Sequence, residues 1–248
     1  MPGTRPHPGR VITAVSTVTV RTGAVGWVWC QHDDVPDLIR MRRDYDSRGL
    51  REEDLAATWV EQFDRWFADA VAAGLPEPNA MVLATADADG APDARLVLMK
   101  GYDATGIVFV TNYASPKGAQ LAVNPRAALV FPWHALQRQV RVTGRAERVG
   151  DAASDALWNP RPRGSQLAAM GSVQSAVVDS REEIATRVRL LEQQTEGPVP
   201  RPANWGGYRV LPERVEFWQG GRDRMHDRLR FVRDDAEGGG WFVQRLAP

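Results

Sequence analysis

Between Glu216 and Arg228 the chain reads EFWQGGRDRMHDR, and this stretch concentrates the side chains best suited to chemistry. Val215, Phe217 and Gln219 alternate with Glu216 and Trp218, the period-two pattern of a strand. Gly220-Gly221 interrupts it, and the turn that follows delivers Arg224, His226, Asp227 and Arg228 within five positions. Guanidinium groups present fixed forks of hydrogen-bond donors, and an imidazole titrates near neutrality. The set suits an anionic or electron-rich ligand; a solvated hairpin with incidental ion pairs would have the same composition.

Further groups of this kind are spread along the chain. Arg95 and Lys100 flank Leu96, Val97, Leu98 and Met99. Five residues apart, they point to opposite faces of a regular strand, so one must act from a bulge or strand end. Gly101 marks Lys100 as that residue. Ser115-Pro116-Lys117 has the cap, first-turn proline and cation of a helix start, where free amides and the dipole favour an anion. Gln139 in the alternating run QRQVRV, and Gln174-Ser175 in a polar loop, offer neutral donors and acceptors. Arg161-Pro-Arg-Gly-Ser165 is a rigid cationic loop ahead of a helix. Arg42 and Tyr45 stand one turn apart on an expected helix and can reach one ligand, although a packed Tyr beside a solvated Arg has the same spacing. His7, His32, His134 and His226 are scattered, and Cys30 is the lone cysteine, which leaves no metal-ligand spacing and no intramolecular disulfide.

Elements must bring these groups together. At 248 residues the chain can bury a substantial core. Lys plus Arg equals Asp plus Glu at 31 each, which gives no support for a nucleic-acid partner. No apolar run approaches the roughly 20 residues that cross a bilayer. Without such a run no membrane is expected, and the single cysteine suits a reducing compartment, so the location expected is cytoplasmic. Residues 1–32 contain no acidic residue and carry VITAVSTVTV between arginines, a composition that superficially resembles a transit peptide and that could also form a strand. We read them as a poorly ordered extension outside the fold, and 33–248 as one domain. A helix is expected from Asp34 to Gly49, with Leu38, Met41 and Tyr45 on one face. A second starts at the capping box Thr58-x-x-Glu61, with Val60, Phe63, Phe67 and Val71 as its core stripe.

From Ala80 the period shifts to strands: AMVLATA, ARLVLMK and IVFVTN form a meander. Further strands are expected near 127–133, 138–148, 207–211, 214–219, 228–233 and 241–246. Helices are expected near 115–123, 151–158, 165–170 and 180–194. The class is mainly β with peripheral helices (α+β), and many short antiparallel strands suggest a closed barrel.

The ordered motifs ARLVLMKGY, TNYASPKGAQL, NPRAALVFPWHALQRQVRVTG, RPRGSQ, VQSA, NWGGYRV, EFWQG and RMHDR, with a terminal RLAP, resemble the pyridoxamine/pyridoxine 5′-phosphate oxidase family from about Ile39 to Pro248. The resemblance implies an FMN-binding split β-barrel, homodimeric, with sites at the subunit interface. It assigns FMN to Arg95 through Lys100, Val110, Thr111, Lys117, Gln139, Gln174, Ser175, Trp218 and Arg228. It assigns the phosphorylated pyridine substrate to Arg42, Tyr45, Lys100, Leu157, Arg161, Ser165, Arg224 and His226, with Arg224 and His226 facing the reacting carbon. The chain departs from the family pattern at Pro116, where Arg is usual, at Val110, where an aromatic is common, and at Leu157, where Tyr is usual. The implied activity is FMN-dependent oxidation of pyridoxamine or pyridoxine 5′-phosphate by O2 to pyridoxal 5′-phosphate, with hydrogen peroxide released. A split-barrel oxidase acting on another substrate and a non-catalytic flavin or pyridoxal phosphate carrier are the alternatives.

Overall fold

The computed structural model of the chain describes residues 20–22, 28–30, 41, 44, 45, 47, 49–234 and 239–248. It comprises two units, Met1–Arg43 and Asp44–Pro248. In the first, β1 (Val20–Thr22) pairs antiparallel with β2 (Val28–Cys30), with Arg21 opposite Trp29. The rest of the 1–32 segment, Arg42 and most of the helix expected from Asp34 lie outside the described residues. At the end of that expected helix, Met41, Asp44, Tyr45 and Ser47 are not helical. In the second unit, Tyr45 and Ser47 are instead held by tertiary contacts described below. Deleting residues 1–32 is expected to leave melting temperature and turnover nearly unchanged; a large loss in either would show that the segment supports the barrel.

The second unit begins with α1 (Trp59–Ala72), whose reciprocal capping box between Thr58 and Glu61 forms as its sequence predicts. The buried stripe is displaced by one residue from the expected one. Trp59, Phe63, Trp66 and Ala70 are buried, Val60 and Phe67 only partly, and Val71 is exposed. Two indoles remove more apolar area from water than the valines do, and they decide which face turns inward.

Eight strands follow in one antiparallel sheet: β3 (Ala80–Ala86), β4 (Pro92–Asp103), β5 (Gly106–Asn112), β6 (Arg126–Trp133), β7 (Arg138–Arg148), β8 (Trp205–Gln219), β9 (Asp227–Arg233) and β10 (Trp241–Arg245). Their order is β10-β9-β8-β5-β4-β3-β6-β7, and β7 also pairs with β8. That extra pairing closes β8, β5, β4, β3, β6 and β7 into a six-stranded barrel and leaves β9 and β10 as a flap extending from it. Closure satisfies strand edges that would otherwise be exposed. The interior is filled by Met81, Leu83, Phe109, Leu129, Phe131, Val140, Val142, Val215 and Phe217, which alternate with outward-facing residues along their strands.

The two strands expected at 207–211 and 214–219 are one. β8 runs through Pro212 on a bulge, with Gly144 opposite Pro212 and Thr143 opposite Arg214. A β-carbon at Gly144 would collide with the Leu211 carbonyl oxygen, so the bulge requires glycine there. The first part of β8 pairs with β5 and the last part with β9, so one strand links two regions of the barrel. Around the barrel lie α2 (Pro116–Val123), α3 (Asp151–Trp158), α4 (Arg163–Gly171) and α5 (Arg181–Gln194), all near their expected positions. Among the described residues no helix is long and apolar enough to cross a membrane.

Candidate functional site

A cleft of about 250 Å³ opens where β4 and β5 meet α2 and the start of α4, lined by Leu96, Val97, Leu98, Lys100, Val110, Thr111, Lys117, Arg161 and Gln174. All nine belong to the set that the sequence singles out. Lys100 reaches it because the β4–β5 register shifts between Met99 and Gly101, the bulge that its spacing from Arg95 requires. Met99, on the opposite face, is buried in the barrel core.

Lys117 stands in the first turn of α2, behind the Ser115 cap. Its ammonium donates to Gln174 Oε1 at 2.8 Å and to Ser115 Oγ at 3.2 Å, and Thr111 Oγ1 lies 3.4 Å from the same Gln174 oxygen. Desolvation, and then the nearby Arg95 charge, push its pKa below the ordinary lysine value. Arg95 itself lies outside the lining. It donates to Thr85 Oγ1 at 2.6 Å and to the Leu83 carbonyl at 3.3 Å, and it pairs with Asp93. It therefore acts on the cleft through its charge.

Arg161 lies over the rings of Trp205 and Trp158, 5.0 and 5.7 Å from their centroids. Burial lowers its pKa, and its Nε is buried with no hydrogen-bond partner. Ser165 accepts from it only through its backbone carbonyl, at 3.4 Å. Ser175, just after Gln174, has a left-handed backbone, φ 70°. Leu157 is not in the lining: it packs on the cluster of Trp158, Leu167, Val199 and Trp205. The indole N–H of Trp158 is committed to the Val199 carbonyl at 2.8 Å, so it does not substitute for a tyrosine hydroxyl. Among the described residues, three cations and no carboxylate line this cleft. That donor set fits a phosphate ester, and the apolar strand Leu96–Leu98 supplies a flat wall beside it.

The remaining predicted residues gather around the end of β8. Gln139 pairs with Trp218 across β7–β8, and Trp218 with Arg228 across β8–β9, so all three share one row. Tyr45 meets Trp218 edge-on at 6.0 Å and His226 at 5.9 Å, and the Trp218 and His226 rings are 4.7 Å apart. Gly220 leaves room for Tyr45, whose ring an added β-carbon would touch at 2.7 Å. The turn is wound through two non-glycine residues in left-handed conformation, Asp223 (φ 52°) and Arg224 (φ 62°). Such backbone costs of order 1 kcal/mol and persists where surrounding contacts enforce it.

His226 Nδ1 accepts from the Gly221 amide at 3.1 Å, which places the neutral ring's proton on Nε2. Desolvation and the Arg224 charge both lower its pKa. The imidazole therefore stays neutral and offers an N–H donor. Acidification should reveal this: in an NMR titration His226 is expected to protonate below the ordinary value of about 6.5. Arg224→Gln should move its midpoint upward by removing the repelling charge. A midpoint at or above the ordinary value in the parent protein would contradict the geometry.

Sequence reasoning missed the anchors of this turn. Asp227 accepts from the Leu50 amide at 2.9 Å and from Arg245 at 2.6 Å, while Ser47 Oγ donates to the Gly220 carbonyl. Gly49, at φ 77°, passes so close to Asp227 that a β-carbon would stand 2.8 Å from its carboxylate. Glu216 is buried and accepts from Arg228 Nε at 2.9 Å. The HDR and RLAP motifs were the available signal, but local spacing does not reveal partners that lie more than 170 residues away in sequence, as Leu50 and Asp227 do.

Among the described residues, the lining of the cleft includes none of Gln139, Trp218, Arg224, His226 and Arg228. Val110 and Thr111 pair with Gly207 and Gly206 near one end of β8, and Trp218 stands eleven residues further along it. At ~3.3 Å per residue that is a path of roughly 36 Å along the strand. The cleft volume is also below the roughly 300 Å³ at which complete small-molecule pockets begin.

Residues 67–195 match the family model described as pyridoxamine 5′-phosphate oxidase, and residues 205–248 match the pyridoxine 5′-phosphate oxidase C-terminal dimerisation region. A pyridoxine/pyridoxamine 5′-phosphate oxidase from Salinispora arenicola is 55% identical over 219 residues, covering 87% of this chain and 98% of the relative. One from Rubrobacter xylanophilus is 54% identical over 213 residues, covering 86% and 97%. Among solved structures, PhzG from Burkholderia lata in complex with tetrahydrophenazine-1-carboxylic acid superposes with TM-score 0.73 at 31% identity, covering 79% of this chain and 95% of that one. A pyridoxamine 5′-phosphate oxidase-related, FMN binding protein from Nostoc punctiforme shares the split-barrel fold, with TM-score 0.61 at 19% identity over 79% of this chain and 99% of its own.

Proposed function

The chain belongs to the pyridoxamine 5′-phosphate oxidase family of oxidoreductases, and on that footing we propose that it binds FMN and oxidises pyridoxamine or pyridoxine 5′-phosphate with O2. One observation carries the assignment: among the described residues Lys100, Lys117 and Arg161 line a cleft that no carboxylate lines, and Arg161 Nε is buried without a hydrogen-bond partner. Lys117, Gln174 and the N-terminus of α2 would hold the cofactor phosphate, with Arg95 adding charge from behind. Lys100 and Arg161 would hold the substrate phosphate. Gln139, Trp218 and Arg228, from the dimerisation region and its neighbouring strand, would hold the ring.

Bound FMN would supply the two-electron oxidation, taking a hydride from C4′ of the substrate and returning the electrons to O2 as hydrogen peroxide. The protein positions and stabilises. Arg224, held in a left-handed backbone, would present its guanidinium to charge developing on the reacting amine or alcohol. His226 donates from Nε2, and Tyr45 packs over both His226 and Trp218 to exclude water. Because the cleft and the turn are far apart along β8, the working unit is a homodimer in which each site takes one half from each chain.

The test is oxygen-dependent formation of pyridoxal 5′-phosphate from pyridoxamine 5′-phosphate by the purified yellow protein. A colourless monomer that ignores added FMN would overturn the reading. One observation favours a second reading, a split-barrel oxidase of an unphosphorylated ring acid: Leu157 packs in an apolar cluster where the family usually has a tyrosine, and PhzG is a similar structure. Turnover of a dihydroaromatic carboxylic acid, with none of the phosphopyridines, would select it.

A further inference from the structure

The turn that carries Arg224 and His226 connects β8 to β9, whose last and first residues, Gln219 and Asp227, stand opposite each other. Little inside it fixes its shape. Asp223 and Arg224 are left-handed without being glycine, and such backbone persists only where neighbours enforce it. Residues 222–225 are exposed in the single chain, so side-chain packing does not supply that enforcement. The backbone bonds within the turn are short-range, from the Met225 amide to the Arg222 carbonyl at 2.8 Å and from His226 to Arg224 at 2.9 Å.

Both ends of the turn are tied down from outside it. At the entry, the Gly220 amide donates to the Gln137 carbonyl at 2.7 Å, and Ser47 Oγ donates to the Gly220 carbonyl. At the exit, the Asp227 carboxylate holds two partners at once. Its Oδ2 accepts from the Leu50 amide at 2.9 Å and its Oδ1 from Arg245 Nη1 at 2.6 Å. Arg245 closes the ring by donating to the Leu50 carbonyl at 3.2 Å, and it grips Glu52 through Nε at 2.6 Å and Nη2 at 2.8 Å. A guanidinium suits this junction because its donors lie in one rigid fork. Asp227 therefore joins the turn to Leu50 and to the last residue of β10. It directly follows His226 in the chain, so a shift of its backbone carries the imidazole with it.

We infer that Asp227 is a positioning residue for the oxidation: it pins the end of the turn to Leu50 and Arg245 and so sets where His226 and Arg224 stand against the substrate. The inference rests on the reaction proposed above. A carboxylate that only stabilised the fold would make the same bonds but behave differently on removal. The Asp227–Arg245 pair is open to solvent, with 29% and 40% of the two side chains exposed, and exposed pairs add little to stability. Loss of the carboxylate should therefore disturb the turn more than it weakens the fold.

Asp227→Ala, assayed together with its flavin content and melting temperature, tests this. The rate per bound flavin should fall by about tenfold to a hundredfold, the scale of loss that an ångström of misplacement produces. KM for the phosphorylated substrate should stay nearly unchanged, because Asp227 does not line the cleft that would hold the phosphate. Asp227→Asn keeps an acceptor for the Leu50 amide and should recover most of the loss. If Asp227→Ala does not fold, Gly49→Ala reads the same anchor from the other side. Its β-carbon would stand 2.8 Å from Asp227 Oδ2 and displace the carboxylate, so its rate per flavin should fall likewise. An NMR titration of His226 gives a readout that needs no turnover: freeing the turn should hydrate the ring and raise its midpoint toward the ordinary value of about 6.5. In a protein that oxidises phosphopyridines, an unchanged rate per flavin in either alanine variant would overturn the inference. Absence of that turnover in the parent would overturn the proposed function instead, and an unmoved His226 midpoint would then still refute the anchor.

Discussion

Mixing a Lys117→Glu variant with an Arg224→Ala variant, each nearly inactive alone, is expected to restore about a quarter of parental activity after subunit exchange. Lys117 lines the cleft, within the region matched to the oxidase family model. Arg224 lies on the turn after β8, within the region matched to the family's dimerisation region. Along β8 the two halves are separated by a path of roughly 36 Å, which rules out a shared ligand on one chain unless the strand doubles back. If each working site joins the cleft of one chain to the turn of another, random exchange makes half of the dimers mixed. Each mixed dimer then has one site with both substitutions and one with neither. Flavin-dependent turnover, measured before and after exchange, checks the arithmetic. No recovery, with mixed dimers demonstrated by mass, would mean that each chain carries a complete site and that the interface reading is wrong.

Arg224→Ala and His226→Ala are expected to lower turnover by about a hundredfold or more, the usual contribution of a charge-stabilising or proton-donating group. Neither residue lines the cleft between β4 and α2, so FMN content should remain near that of the parent protein. Neither side chain belongs to the barrel core, so melting temperature should change little. Arg224 additionally holds an unfavourable left-handed backbone, which alanine does not relieve, so a fall in activity cannot be attributed to relaxed strain. Separating bound flavin from rate per flavin decides the matter. If either substitution strips the cofactor while the rate per remaining flavin is unchanged, the residue belongs to cofactor binding and not to the reaction.

Much of this protein could be read from local sequence, because the physics involved is local. The capping box at Thr58, the period-two runs from Ala80 onward and the Ser-Pro start of α2 each involve residues a few positions apart. The demand for a bulge at Lys100 was legible for the same reason: a five-residue spacing cannot put Arg95 and Lys100 on one face of a regular strand. The residue types able to bind an anion or polarise a substrate were also visible, since charge and donor count belong to the side chain alone.

Tertiary structure decided which of these groups meet. The pairing of β8 with β7 made one strand of two expected ones, and it placed the cleft and the turn that carries Arg224 and His226 at different ends of that strand. Packing area chose Trp59 and Trp66 over Val71 as the buried stripe of α1, a competition that amphipathic spacing does not rank. Long-range contacts put Tyr45 on Trp218, Leu50 on Asp227 and Leu157 in an apolar cluster. None of these is encoded in spacing, because the partners are far apart in the chain and meet only when the sheet closes.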